Sequence, residues 1–127
     1  MYPWGEEWDG TKCRHAGNKG NETTAGVWEY AEGASPYGAY QMSGNVWEWC
    51  EDWYDEKVYE RYRRGDLTLP GSGSSRVLRG GSWYGSVPDG FTASDRLNYL
   101  PDRRYGSRGF RCVCGLAVSP GAGGLVP

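Results

Sequence analysis

The side chains with the widest chemical repertoire in this chain are its four cysteines, Cys13, Cys50, Cys112 and Cys114. A thiolate can attack, bind a soft metal or oxidise to a disulfide, and an even count permits up to two bridges in three alternative pairings. Cys112 and Cys114 stand at i and i+2, so in a strand both would point to one face. Zinc is argued against, because no Cys-x-x-Cys pair occurs and His15 is the sole histidine. The expectation is that at least two of the thiols are simply buried. Carboxylates cluster at Glu48, Glu51, Asp52, Asp55 and Glu56, and guanidinium groups at Arg103, Arg104, Arg108 and Arg111. Both clusters read as solvated surface with local pairing. A formal net charge of −2 excludes a binder that relies on simple electrostatic attraction to nucleic acid.

These groups need a frame to position them. A chain of 127 residues is one domain's length, with one core and little to spare. Seven Trp, ten Tyr and two Phe sit among 21 Gly and seven Pro, which predicts a loop-rich fold whose buried area comes from a few large rings. A helical period is visible only over residues 55–64, where Val58, Tyr59 and Tyr62 share a face. Residues 1–40 read as ordered loop with short strands, because Trp4, Trp8 and Trp28 need somewhere to pack. In Gly44-Asn45-Val46-Trp47-Glu48-Trp49-Cys50 the alternation places Val46, Glu48 and Cys50 on one face and Trp47 and Trp49 on the other. That is a half-buried strand with both tryptophans in the core. Residues 70–75 are a flexible connection into a second strand over residues 76–83, closed by a glycine pair. A last strand is predicted over residues 109–113. Residues 116–127 read as a disordered tail or tag remnant, leaving 1–115 as the domain. No apolar run approaches the about 20 residues of a membrane helix, so membrane insertion is not expected. No apolar leader follows Met1, which suggests export by another route or a domain excised from a longer chain.

Four blocks, Tyr2-Pro3-Trp4-Gly5, Gly44-Asn45-Val46-Trp47-Glu48-Trp49, Arg79-Gly80-Gly81-Ser82-Trp83 and Gly109-Phe110-Arg111, stand in the order and spacing of the formylglycine-generating-enzyme (sulfatase-modifying factor) family. The chain resembles the C-terminal part of that family over residues 2–113. The resemblance implies an α+β domain, a variant of the C-type lectin fold with short strands and extensive loops. In the enzymes two cysteines after the Gly-Gly-Ser-aromatic block bind copper and activate oxygen. By spacing those positions fall here at Gly85 and Gly90, which have no ligand atom, so the resemblance carries the scaffold without the oxidase chemistry. It also implies a structural calcium site at Gln41, Gly44, Val46 and Glu48. Gln41 departs from the family's Asn or Asp, and an ion pair or hydrogen bond from Glu48 to an arginine or the backbone is the competing expectation. The family's other calcium site wants an Asn about where Arg14 stands, and is expected to be missing.

Residues 84–108 are compositionally separate. They contain no Lys, Glu, Gln, Met or Trp, whereas the other 102 residues contain 22 of these. Those five amino acids are the ones never encoded by a codon ending in C. Between Gly80-Gly81-Ser82-Trp83 and Gly109-Phe110-Arg111, with Pro101-Asp102-Arg103-Arg104 inside, the block resembles the variable proteins of diversity-generating retroelements, which use this scaffold. The residue types suit recognition: Tyr supplies amphipathic area at little rotamer cost, and Ser, Gly and Asn supply adaptable hydrogen bonds. The candidate ligand-binding residues are Tyr84, Gly85, Ser86, Val87, Gly90, Thr92, Asp95, Leu97, Asn98, Tyr99, Arg103, Tyr105, Gly106 and Ser107. Tyr84, Tyr99 and Tyr105 are the expected anchors, and Arg103 could reach carboxylates.

The leading expectation is therefore a non-catalytic binding domain with a diversified surface and no required cofactor. Its partner would be a macromolecule, a protein on a cell or virion surface, which would place the chain at a virion or cell surface too. One alternative is a formylglycine-generating-enzyme-family member or remnant acting in protein modification. Another is a carbohydrate-binding lectin, for which the Glu-Pro-Asn and Gln-Pro-Asp sugar motifs are absent.

Overall fold

The tryptophan-rich run becomes strand β1, Trp47–Trp53, the longest element in a computed structural model that describes residues 1–114. It begins only after Gly44 and Asn45, both at positive φ, which turn the chain into the sheet. Helix α1, Val58–Arg63, follows within the stretch 55–64 where Val58, Tyr59 and Tyr62 could share a helical face, with Val58 buried. Its approach is fixed by Asp55, which accepts from the Lys57 backbone N–H and from Nε and Nη2 of Arg61. Strands β2 (Arg76–Arg79), β3 (Leu97–Tyr99) and β4 (Arg108–Gly109) complete one sheet in the order β3-β2-β1-β4. β1 runs antiparallel to β2 with Trp49 opposite Leu78, and parallel to β4 with Trp47 opposite Arg108. β3 runs antiparallel to β2, with Val77 opposite Asn98.

On β2, Val77 and Leu78 point to opposite faces and both are buried, so each face of the sheet is covered at its centre. Val58, Tyr59 and Tyr62 of α1 line a small cavity with Val77, which puts the helix over that face. A second core gathers Tyr2, Cys13 and Phe91, flanked by Trp4 and Trp8. Trp8 lies 5.0 Å from the Phe91 ring and Tyr2 stacks on Trp4 at 5.4 Å. Among the described residues no helix is long and apolar enough to cross a membrane.

Several expectations are corrected. Trp47 and Trp49 are half-buried and do not enter the core. Trp28 is 78 % exposed and touches Tyr40 edge-on instead of entering a core. Residues 1–40 form 3-10 turns and one isolated bridge, Tyr2 to Gly5, instead of short strands. The last strand stops at Gly109, and Phe110 and Val113 are exposed. Cys112 and Cys114 therefore lie on irregular backbone, exposed, with no strand to align them. Of the four thiols only Cys13 is buried and Cys50 is half-buried. The reading of residues 116–127 falls outside the described residues.

Candidate functional site

The compositionally distinct stretch is pinned in its middle and open at both ends. Phe91 is only 1 % exposed and its carbonyl accepts from the buried Ser43 hydroxyl at 2.7 Å. Ala93 donates its N–H to the Met1 carbonyl, and the carbonyls of Ala93 and Asp95 accept from Nη1 of Arg79. Thr92 spends its hydroxyl on the Asp89 carbonyl, and the Asp95 N–H bonds the Thr92 carbonyl. Thr92 and Asp95 are thus half-buried parts of the anchor. On one side of it lie Tyr84, Ser86 and Val87, all exposed. On the other, Leu97, Asn98 and Tyr99 form the edge strand β3, and Arg103, Tyr105, Gly106 and Ser107 form the loop that returns to β4.

Trp83, which sequence reasoning treated only as framing, joins the two sides. Its indole N–H donates to the Gly106 carbonyl at 3.3 Å while its ring meets Tyr84 edge-on at 5.7 Å. The Lys19 ammonium lies over the same ring, and the Ser107 carbonyl accepts from the Trp47 N–H. Tyr84 and Gly106, 22 positions apart in the chain, therefore share one indole and belong to one surface.

Within the second side, Tyr99 and Tyr105 meet edge-on, with their hydroxyls 3.1 Å apart. The Arg108 guanidinium lies 3.7 Å from one ring and 3.9 Å from the other. Such stacking holds the cation by ring quadrupoles. Nε and Nη1 of Arg108 are buried without a hydrogen-bond partner. The bond to Tyr105, followed by that to Arg108, holds the Tyr99 hydroxyl below the usual phenol range, and the bond to Tyr99 pushes Tyr105 up.

The two positions where the resemblance places catalytic thiols behave differently. Gly85 lies against the core: a Cβ there would stand 2.8 Å from Cζ of Phe91. Its carbonyl accepts from Ala16 and its N–H donates to Ser82, so its backbone is committed too. Gly85 is part of the frame and offers no room for a side chain while Phe91 keeps its place. A Cβ on Gly90 meets nothing within 4 Å, so that position is open. Burial, then Asp9, pushes the Cys13 thiol up to about 12 and keeps it protonated at neutral pH. Among the described residues no three His, Cys, Asp or Glu side chains converge as a metal cluster.

The residues named for calcium surround an arginine. Arg111 donates from Nε to Glu48 at 2.6 Å and from Nη2 to the other carboxylate oxygen. The same guanidinium donates to the carbonyls of Tyr40 and Gln41 at 2.8 and 3.0 Å. Gln41 turns its amide nitrogen to the carbonyls of Gly26 and Glu29, leaving Oε1 buried without a partner. Gly44 holds a φ of +78° that brings its backbone against Arg14, and Val46 packs on Gly109. Calcium takes about six to eight oxygen ligands, usually with several carboxylates. Here Gln41 Oε1 is a spare oxygen, but the carboxylate is neutralised by Arg111, so the set fits the guanidinium better than the ion. Arg14, at the second implied calcium position, is likewise buried and paired with Glu22 at 2.8 Å.

The sheet, the two cores and the loop rim define an α+β domain with the C-type lectin-like fold of the formylglycine-generating-enzyme type. The chain belongs to the sulfatase-modifying factor enzyme 1-like domain family, whose model matches residues 1–116. It is 39 % identical to serine/threonine-protein kinase pkn1 of Chlamydia caviae over 91 % of this chain and 18 % of that protein. It is 33 % identical to the formylglycine-generating enzyme of Streptomyces coelicolor, over 88 % of this chain and 40 % of that one. Among solved structures, Treponema denticola variable protein 1 superposes with a TM-score of 0.62 at 34 % identity, covering 79 % of this chain and 34 % of its own. The chain thus spans less than half the length of each of these relatives.

Proposed function

We propose that this chain is a non-catalytic binding domain of the diversity-generating-retroelement variable-protein kind, with Tyr84, Ser86, Val87 and residues 97–107 as its diversified surface. The observation that carries the reading is a coincidence of two independent maps. The stretch that lacks every residue type without a codon ending in C has exposed filling, including Tyr84, Val87, Leu97 and Tyr105, around one buried anchor, Phe91. A surface that must tolerate change needs fixed points outside the contact area, and Phe91, Trp83 and Gly85 supply them. The likeness to a variable protein of Treponema denticola supports the same reading. The expected partner is a protein on a cell or virion surface, bound with no cofactor, no nucleic acid and no membrane insertion. Sequencing sibling copies of the gene and its neighbourhood tests this. The expected result is substitution at Tyr84, Leu97 and Tyr105, conservation of bulk at Phe91, and a nearby reverse-transcriptase gene with a near-copy of the segment. Invariance at the three exposed positions would sink the proposal.

A second reading, protein modification within a longer chain, is favoured by the 33 % identity to a formylglycine-generating enzyme. It requires ligands that Gly85 and Gly90 do not supply. Stoichiometric copper(I) binding by the purified chain would favour it over the first.

A further inference from the structure

Resting on the binding reading above, we propose that the groove beside Tyr99 and Tyr105 receives a carboxylate side chain, Asp or Glu, from the protein partner. The groove holds about 480 Å³ and is lined by Ser75, Asn98, Tyr99, Leu100, Arg103 and Tyr105. No acidic side chain is among the six.

Two hydroxyls carry two hydrogens, and the single bond between Tyr99 and Tyr105 consumes one of them. Whichever tyrosine donates, the pair keeps one O–H to spend outward. Among the described residues the Arg108 cation beneath the rings has no carboxylate partner, and its Nε and Nη1 have no hydrogen-bond partner. A cation in that position strengthens the outward O–H as a donor and makes the groove favourable to negative charge. Arg96 is a useful contrast: it also stacks on two tyrosines, Tyr54 and Tyr59, but donates to the Asp55 carbonyl.

Arg103 completes the receptor. It is exposed, and its contact with Asp102 is long, 3.9 Å, with both side chains mostly in water. Such a pair contributes little and exchanges readily. Residues 97–108 carry three arginines against the single carboxylate of Asp102, so this corner is cationic on a chain whose net charge is −2. One guanidinium fork and one hydroxyl match the two oxygens of a planar carboxylate. The wall of Leu100 and the two tyrosine rings would receive the aliphatic stem that carries it.

The whole chain, labelled at tyrosine rings and arginine side chains, is titrated by NMR with the dipeptide N-acetyl-Asp-Glu-amide. Its neutral isostere N-acetyl-Asn-Gln-amide and inorganic phosphate serve as comparison arms. Saturable shifts at Tyr99, Tyr105 and Arg103 with the acidic peptide, and none with the isostere, are expected. Arg103→Gln, at an exposed position, should leave the fold intact and weaken that response about fivefold. A Tyr99→Phe/Tyr105→Phe double variant, which keeps both rings and removes both hydroxyls, should lose it. No saturable shift, an equal response to the isostere, or a tighter response to phosphate would each overturn the carboxylate assignment. The titration needs no partner protein, so its outcome is separate from the sibling-sequence test of the diversified surface.

Discussion

Replacing Phe91 with alanine separates the anchor of the candidate site from its contact surface. Phe91 is 1 % exposed, sits 5.0 Å from Trp8 and 6.3 Å from His15, and is walled by the backbone at Gly81 and Gly85. Built Cβ atoms on those glycines would come within 2.7 and 2.8 Å of the ring, so they have no side chains with which to fill a void. Collapse is limited, and the expected loss is in the upper part of the about 3–5 kcal/mol seen for buried Phe→Ala changes. A domain of this size has about 5–15 kcal/mol in total, so the variant loses about a third of its stability or more. Tyr84→Ala is the matched control, 74 % exposed and seven positions away in the same stretch. It should stay within about 0.5 kcal/mol of the parent. Urea melts read both, with an unchanged slope showing that the unfolded state is not altered. A difference between Phe91→Ala and Tyr84→Ala of less than about 1 kcal/mol would refute the division of labour, because the stretch would then have no anchored centre.

Other perturbations probe neighbouring features. Gly85→Ala should destabilise by about 1–3 kcal/mol through the Phe91 clash, while Gly90→Ala should be near neutral; equal melting points for the two would contradict the packing at Gly85. Stability should fall as pH rises from about 9 towards 12, since folded Cys13 keeps its proton where the unfolded thiol loses it, with a slope of at most about 1.4 kcal/mol per pH unit. Cys13→Ala should flatten that slope, and urea melts at several alkaline pH values with identical slopes for both proteins would count against it. Arg111→Met should cost about 1–2 kcal/mol by stranding Glu48, and only in that variant should added calcium raise the melting temperature. A calcium-dependent rise in the unmodified chain would show that the ion displaces the guanidinium. Trp47→Ala should cost about 2 kcal/mol, less than Phe91→Ala, as its half-buried position requires.

Much of the frame was legible because local rules acted alone. The α1 period, the onset of β2 and the glycine pair after it follow from side-chain spacing and turn chemistry, and they fall where the sequence puts them. The four blocks made the family readable, and the missing residue types marked the stretch 84–108. Burial was less legible. Alternation predicted a face for Trp47 and Trp49 but could not say how much of each ring the rest of the chain would cover, and both are half-buried. Phe91 carried a signal as the one phenylalanine within residues 84–108, set directly after Pro88-Asp89-Gly90.

The sequence by itself determined the kind of domain and marked the span proposed as its binding surface, because motif order and residue composition are properties of the chain alone. Only the tertiary structure decided how that span divides. Phe91 and Gly85 face inward because Trp8, His15 and Gly81 close around them. Tyr84 and Gly106 share a surface because one indole bridges 22 positions. Arg111 holds Glu48, because the return from β4 delivers a guanidinium to that carboxylate and to two carbonyls at once. These are long-range contacts, and no local pattern of residue types encodes which distant group will arrive.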